Sequence, residues 1–174
     1  MIIETSQILG LPVVNSNDQE LGTVDSLIFN GPKIQVSGLQ IVRNGVIKKF
    51  YGLMYPDVVK VSRSHLVVES EKVLLKNLRD LDELYKLYGR VIGVAATTES
   101  GKKIGHVTDL IIEAETGLII RFVIRHLLYE RIIPRQFLVS ITPRAIVFQD
   151  VVDQPTFDRL AAHDLAPEPR PLHD

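Results

Sequence analysis

The sequence predicts a mainly β protein: two small tandem β-barrels joined by a short helix-containing linker, then a short C-terminal helix and an extended tail. Three observations predict it, namely an internal repeat, strand-and-turn punctuation within each copy, and one helical stripe between the copies. Gly10, Leu21, Gly22, Val24, Leu27 and Ile28 recur 83 positions later as Gly93, Ile104, Gly105, Val107, Leu110 and Ile111. Self-similarity at a fixed offset marks duplication of one structural unit. Val36, Leu39 and Ile41 match Ile119, Phe122 and Ile124 at the same offset, whereas Val61, Ser62, Leu66, Val67 and Val68 match Ile141, Thr142, Ile146, Val147 and Phe148 at an offset of 80. The first copy is therefore three residues longer in its middle. A surface hairpin between Arg43 and Pro56 absorbs such a difference, because its ends stay fixed while its tip changes.

Taken in chain order, the first copy (1–70) opens on "VVNSNDQELGTV", a polar turn with Asp18 at its tip between two apolar runs. Such punctuation reads as a hairpin of short antiparallel strands. "QVSGLQIVRNGVIKKFYGL" follows, and its Asn44-Gly45 suits a type I′ turn, which requires positive φ. Residues 71–88 form the linker, in which Leu74, Leu78, Leu81, Tyr85 and Tyr88 recur at helical spacing. Asp80 with Glu83 has the form of a cap and its reciprocal acid, and Gly89 is a stop, so a helix is expected near 80–87.

The second copy (89–150) repeats the opening hairpin in "VAATTESGKKIGHV", with Gly101 at the tip, and Thr116-Gly117 is read as the counterpart of Asn44-Gly45. In "LIIRFVIR" the period of two puts Ile120, Phe122 and Ile124 on one face and Arg121, Val123 and Arg125 on the other. Five or six short strands per copy, with no long amphipathic helix, argue for barrels closed to remove their edges. Residues 151–174 hold two Arg, five acids and four of the nine prolines. Phe157, Leu160 and Ala161 could line one short helix, and Pro167, Pro169 and Pro171 forbid its continuation.

Composition excludes several classes of function. With 20 Lys and Arg against 21 Asp and Glu, the chain has no global field to draw it onto nucleic acid or an anionic membrane, leaving only local patches. Zero Cys removes disulfides, thiolate nucleophiles and Cys-based metal sites. No stretch approaches the roughly 20 apolar residues of a spanning helix, so no membrane span and a cytoplasmic location are expected.

At this point "LGLPVVNSNDQELGTVDSLIF" and "VIGVAATTESGKKIGHVTDLII" resemble the opening of the PRC-barrel domain, and "VVKVSRSHLVVE" and "FLVSITPRAIVF" are similar to its closing strands. The resemblance covers about residues 6–70 and 86–150. It rests on the order of turns and strands appearing in duplicate. Val107-Thr108-Asp109 comes close to the family's Gly-x-Val-x-Asp pattern, whereas Val24-Asp25-Ser26 has the acid one place earlier. The resemblance implies a six-stranded barrel used for docking or assembly, without catalytic residues. Relatives of this kind include the cytoplasmic part of the reaction-centre H subunit and the C-terminal half of a ribosome-maturation factor.

The residues offer no sharper chemistry. His65, His106, His126, His163 and His173 lack metal-ligand spacing. No nucleophile elbow, Ser/Thr-x-x-Lys or phosphate-loop motif occurs, and "SGKKIG" reads as a polar hairpin tip. The expectation is no catalytic, cofactor or metal residues and no enzyme. Two surfaces are candidates for partner binding. One is the basic side of copy two, carrying Arg121, Arg125, Arg131 and Arg135, where residues 89–150 hold eight cations against six acids. The other is the aromatic cluster Phe50, Tyr51 and Tyr55 around Met54, which either fills a barrel or its junction with the other, or forms a hot spot. The leading expectation is a non-enzymatic tandem-barrel adaptor with a protein partner. The alternatives are an RNA or ribosome-assembly accessory using the basic side, with salt-sensitive binding, a small-ligand site or enzyme in an inter-barrel cleft, and, by family analogy, an accessory of a photosynthetic or electron-transport complex. Duplication also raises pseudo-twofold packing within the chain, or a homodimer formed by strand exchange.

Overall fold

A computed structural model describes residues 1–76, 91–142, 144–154 and 157 of the chain. The helix expected near 80–87 lies outside them, as do Leu160, Ala161 and the proline-rich tail. The described residues form thirteen strands: β1 (Ile2–Glu4), β2 (Pro12–Asn15), β3 (Glu20–Asn30), β4 (Gln35–Arg43), β5 (Lys49–Met54), β6 (Val58–Val61), β7 (Leu66–Val68), β8 (Ala95–Thr98), β9 (Lys103–Glu113), β10 (Ile119–His126), β11 (Tyr129–Pro134), β12 (Leu138–Ile141) and β13 (Ala145–Phe148). One sheet runs β5-β4-β3-β2-β7-β6 and the other β11-β10-β9-β8-β13-β12. The second order is the first one repeated. The two tandem units expected from the repeat are present, and the protein is mainly β.

The duplication extends to the backbone. Asp18 and Gly101 both take positive φ at the tip of the opening hairpin, and so do Gly10 and Gly93, and Gly22 and Gly105. At Gly22 a Cβ would stand 2.7 Å from the carbonyl oxygen of Val42, and at Gly105 it would collide with the carbonyl of Arg125. These two glycines permit the close crossing of β3 over β4 and of β9 over β10. Buried Val36, Leu39 and Ile41 face one interior and Ile119, Phe122 and Ile124 the other, as the repeat predicts.

Five expectations need correcting. Each sheet contains one parallel pair, β2 with β7 and β8 with β13, where only antiparallel pairing was expected. The barrels are not closed by a ladder among the described residues: the strand order ends at β5 and β6, joined by a 3-10 turn at Tyr55–Asp57, and its counterpart is Arg135–Phe137. Gly117 corresponds to Ile34, in the β3–β4 turn, and not to Asn44-Gly45; the true counterpart of that dipeptide is Leu127-Leu128 between β10 and β11. The β4–β5 loop spans residues 44–48 and the β10–β11 loop residues 127–128, which locates the three-residue difference where it was expected. Neither Asn44 nor Gly45 has positive φ, because a loop of that length has no need of a two-residue primed turn. Lastly, a bulge at Ile120 breaks the alternation of β10, so Ile119 and not Ile120 joins Phe122 and Ile124 in the core.

One feature of the topology escaped the sequence reading. β1 belongs to the first copy but pairs with the far end of β9 in the second, Ile3 opposite Ile112. The apolar core is one continuous cluster reaching from Leu21 and Leu39 through Ile3 and Tyr55 to Phe122 and Phe148.

Candidate functional site

The junction between the barrels is the most elaborately built part of the molecule. Gln35 and Leu118, 83 positions apart, form an isolated antiparallel bridge. The Val36 N–H donates to the Gly117 carbonyl at 2.8 Å, and the Ile119 N–H donates to the Ile34 carbonyl at 3.0 Å. Each bond maps onto the other when the copies are exchanged, which is the signature of a twofold contact. Pseudo-twofold packing within the chain is therefore present at this junction. Gly117 is required here, since a Cβ would meet the Val36 carbonyl at 2.7 Å and the Tyr55 ring at 3.0 Å.

Tyr55 seals the junction. It is 2% exposed, and its hydroxyl donates to the Ala114 carbonyl at 2.9 Å. Burial, aided by the nearby charge of Glu115, pushes its ionisation from the usual 10.0 up to about 12. On the other side of β9, Asp109 Oδ1 accepts from Thr5 Oγ1 at 2.6 Å and from the Ser6 N–H at 3.1 Å. The acid of the Gly-x-Val-x-Asp pattern thus fastens the start of copy one onto copy two. Its counterpart in copy one is Ser26, whose hydroxyl donates to the Gln40 side-chain oxygen at 3.1 Å. Asp25, the acid standing one place early, is the exposed extra residue of a bulge, as is Thr108 in copy two, although Thr108 is half-buried.

The candidate arginines do not form one set. Arg121 and Arg125 share the outer face of β10, as alternation predicts, with Arg121 half-buried and without an ion pair among the described residues. Arg125 is ion-paired with Glu130 at 2.8 Å across the β10–β11 ladder. Arg131 stands opposite Ile124, hence on the other face, and its Nη1 donates to the Val152 carbonyl at 2.6 Å. Arg135 lies half-buried in the 3-10 corner after β11.

The aromatic cluster also divides. Tyr55 is interior to the junction, Tyr51 lies half-buried under Arg43 at 4.8 Å, and Phe50 is exposed. Arg43 additionally donates to the Leu21 carbonyl and to Glu71 at 2.6 Å, along one wall of an open cavity of about 360 Å³. Its donors are engaged by the barrel end itself, and Glu20, Asn44 and Glu71 lining the cavity make no convergent acid–base or nucleophilic set.

Among the described residues no three His, Asp or Glu side chains are grouped to hold a metal ion, and no helix is long and apolar enough to cross a membrane. Asp150 accepts from the Ser100 N–H at 2.9 Å, which holds its carboxyl below the usual range. Sequence reasoning missed the role of Thr5 and Asp109, whose signal is only a Thr before the first repeat Gly and an acid in the second copy. The family description of the PRC-barrel domain matches residues 2–75 and again 85–155. No curated protein matches the chain.

Proposed function

The chain belongs to the PRC-barrel family, carrying that non-catalytic domain twice, and we propose that it is a non-enzymatic adaptor that docks a protein partner in an assembly. The observation that carries this reading is the reciprocal junction. Hydrogen bonds, a crossing strand and a continuous core hold two binding modules in one orientation, an arrangement suited to a scaffold. The docking face is the outer side of β10 and β11, where Arg121 has no ion pair among the described residues and offers a planar donor set to an acidic partner. RNA binding through the same side draws less support, because Arg125 already holds Glu130 and Arg131 lies on the opposite face, bonded to Val152.

The test is capture from native lysate at low and high salt, with and without nuclease, using wild type and Arg121→Ala/Arg125→Ala. A discrete protein that survives nuclease and is lost with the double variant is the expected result. Recovery that depends on RNA and collapses with salt would replace the adaptor by an RNA-binding accessory.

A further inference from the structure

The two equivalent hairpin tips, β4–β5 and β10–β11, carry large apolar side chains directed at solvent. In the second, Leu127 is 82%, Leu128 97% and Tyr129 79% exposed; in the first, Val46 is fully exposed, Ile47 three-quarters and Phe50 partly so. Soluble surfaces rarely gather such residues without a purpose. Both loops differ in length and sequence, so the shared apolar apex is not simply a residue of the duplication.

Charge around the tips runs against that of the whole chain. Residues 43–50 and 125–131 together hold five Lys and Arg against one acid, in a protein with one more acid than base overall. Lys48 and Lys49 are exposed and form no ion pair among the described residues. The side chains are also ordered by depth. At the β10–β11 tip, Leu127 and Leu128 form the apex, the His126–Tyr129 pair comes next, and the Arg125–Glu130 pair lies below it. Apolar apex, aromatic ring, then a charged pair follows the order of a bilayer from acyl chains to headgroups. A convex apex of this kind suits a soft surface. Protein hot spots instead sit in well-packed, desolvated patches.

We propose that each of these hairpin tips is a site of insertion into an anionic lipid surface, Val46 and Ile47 at one and Leu127 and Leu128 at the other entering the acyl boundary while Lys48 and Lys49 meet the phosphates. The contact is peripheral and reversible, since each tip buries only a few side chains. Salt weakens its electrostatic part.

Flotation of the full chain with phosphatidylcholine vesicles, with and without phosphatidylserine, tests this. Wild type is expected to bind the anionic vesicles and to prefer them to neutral ones. The quadruple variant Val46→Ser/Ile47→Ser/Leu127→Ser/Leu128→Ser should bind about tenfold or more weakly with unchanged circular dichroism. Because the chain contains no Trp, Leu128→Trp and Val46→Trp each report one tip. Their emission should shift to the blue on anionic vesicles and be quenched by bromolipids. Absence of binding, unchanged binding by the quadruple variant, or water-like emission at both positions overturns the proposal. So does a wild-type dimer without lipid that the serine variant abolishes, since the tips would then cover each other. None of these outcomes bears on the docking face at Arg121.

Discussion

Tyr55 shows how a single side chain ties pH to the union of the barrels. The folded protein holds the phenol proton up to about 12, whereas an unfolded chain releases it near 10. The sign follows: between those values the unfolded state binds fewer protons, so stability is intact below about 10 and falls as pH rises through the window. The loss approaches about 3 kcal/mol at the top of it. Denaturant titrations across the window should show this fall, with phenolate absorbance of one Tyr appearing late. Tyr55→Phe should cost about 1–2 kcal/mol at neutral pH, by orphaning the Ala114 carbonyl, and should abolish that part of the alkaline loss. An unchanged pH profile in the variant would assign the loss to other groups.

Among the elements, β1 has the most unusual placement. It is three residues long, too short to hold a sheet by itself. Its position depends on the turn that follows, where Thr5 and Ser6 bond to Asp109. Asp109→Ala should therefore cost about 1.5–3 kcal/mol and speed amide exchange across Ile2–Glu4. Ser26→Ala, at the equivalent place in copy one, should cost well under about 1 kcal/mol. Equal effects at the two positions would mean that Asp109 serves β9 alone. Bulges govern the other strands. Val59 in β6 and Val139 in β12 are matching exposed residues at register shifts on the terminal strands of the two sheets. Bulged four-residue edges resist pairing with other chains, which disfavours strand addition at β6 and β12.

For the molecule as a whole, continuity of the core across the junction has a thermodynamic consequence. Neither barrel can open without exposing part of the other's apolar surface, Ile3 against β9 and Tyr55 against Gly117. Calorimetry should give one transition whose van't Hoff and calorimetric enthalpies agree. Two resolved transitions would show that the junction is too weak to couple the barrels.

Much of this architecture was legible in the residues. Two units, their strand order of apolar positions, the polar tips at Asp18 and Gly101 and the site of the three-residue difference all follow from local pattern, because alternation, turn residues and glycine spacing are short-range properties. What the pattern could not hold is contact between distant segments. The pairing of β1 with β9, the parallel pair in each sheet and the sealing of Tyr55 depend on which surfaces meet after folding. Ile34 is the sharpest case: a β-branched residue with φ of 53° at the place where its counterpart is Gly117. Left-handed backbone is costly for such a residue, and nothing in "NGPKIQV" announces it. It is held because its carbonyl accepts from Ile119 across the pseudo-twofold axis, a partner 85 residues away that only the assembled core brings near.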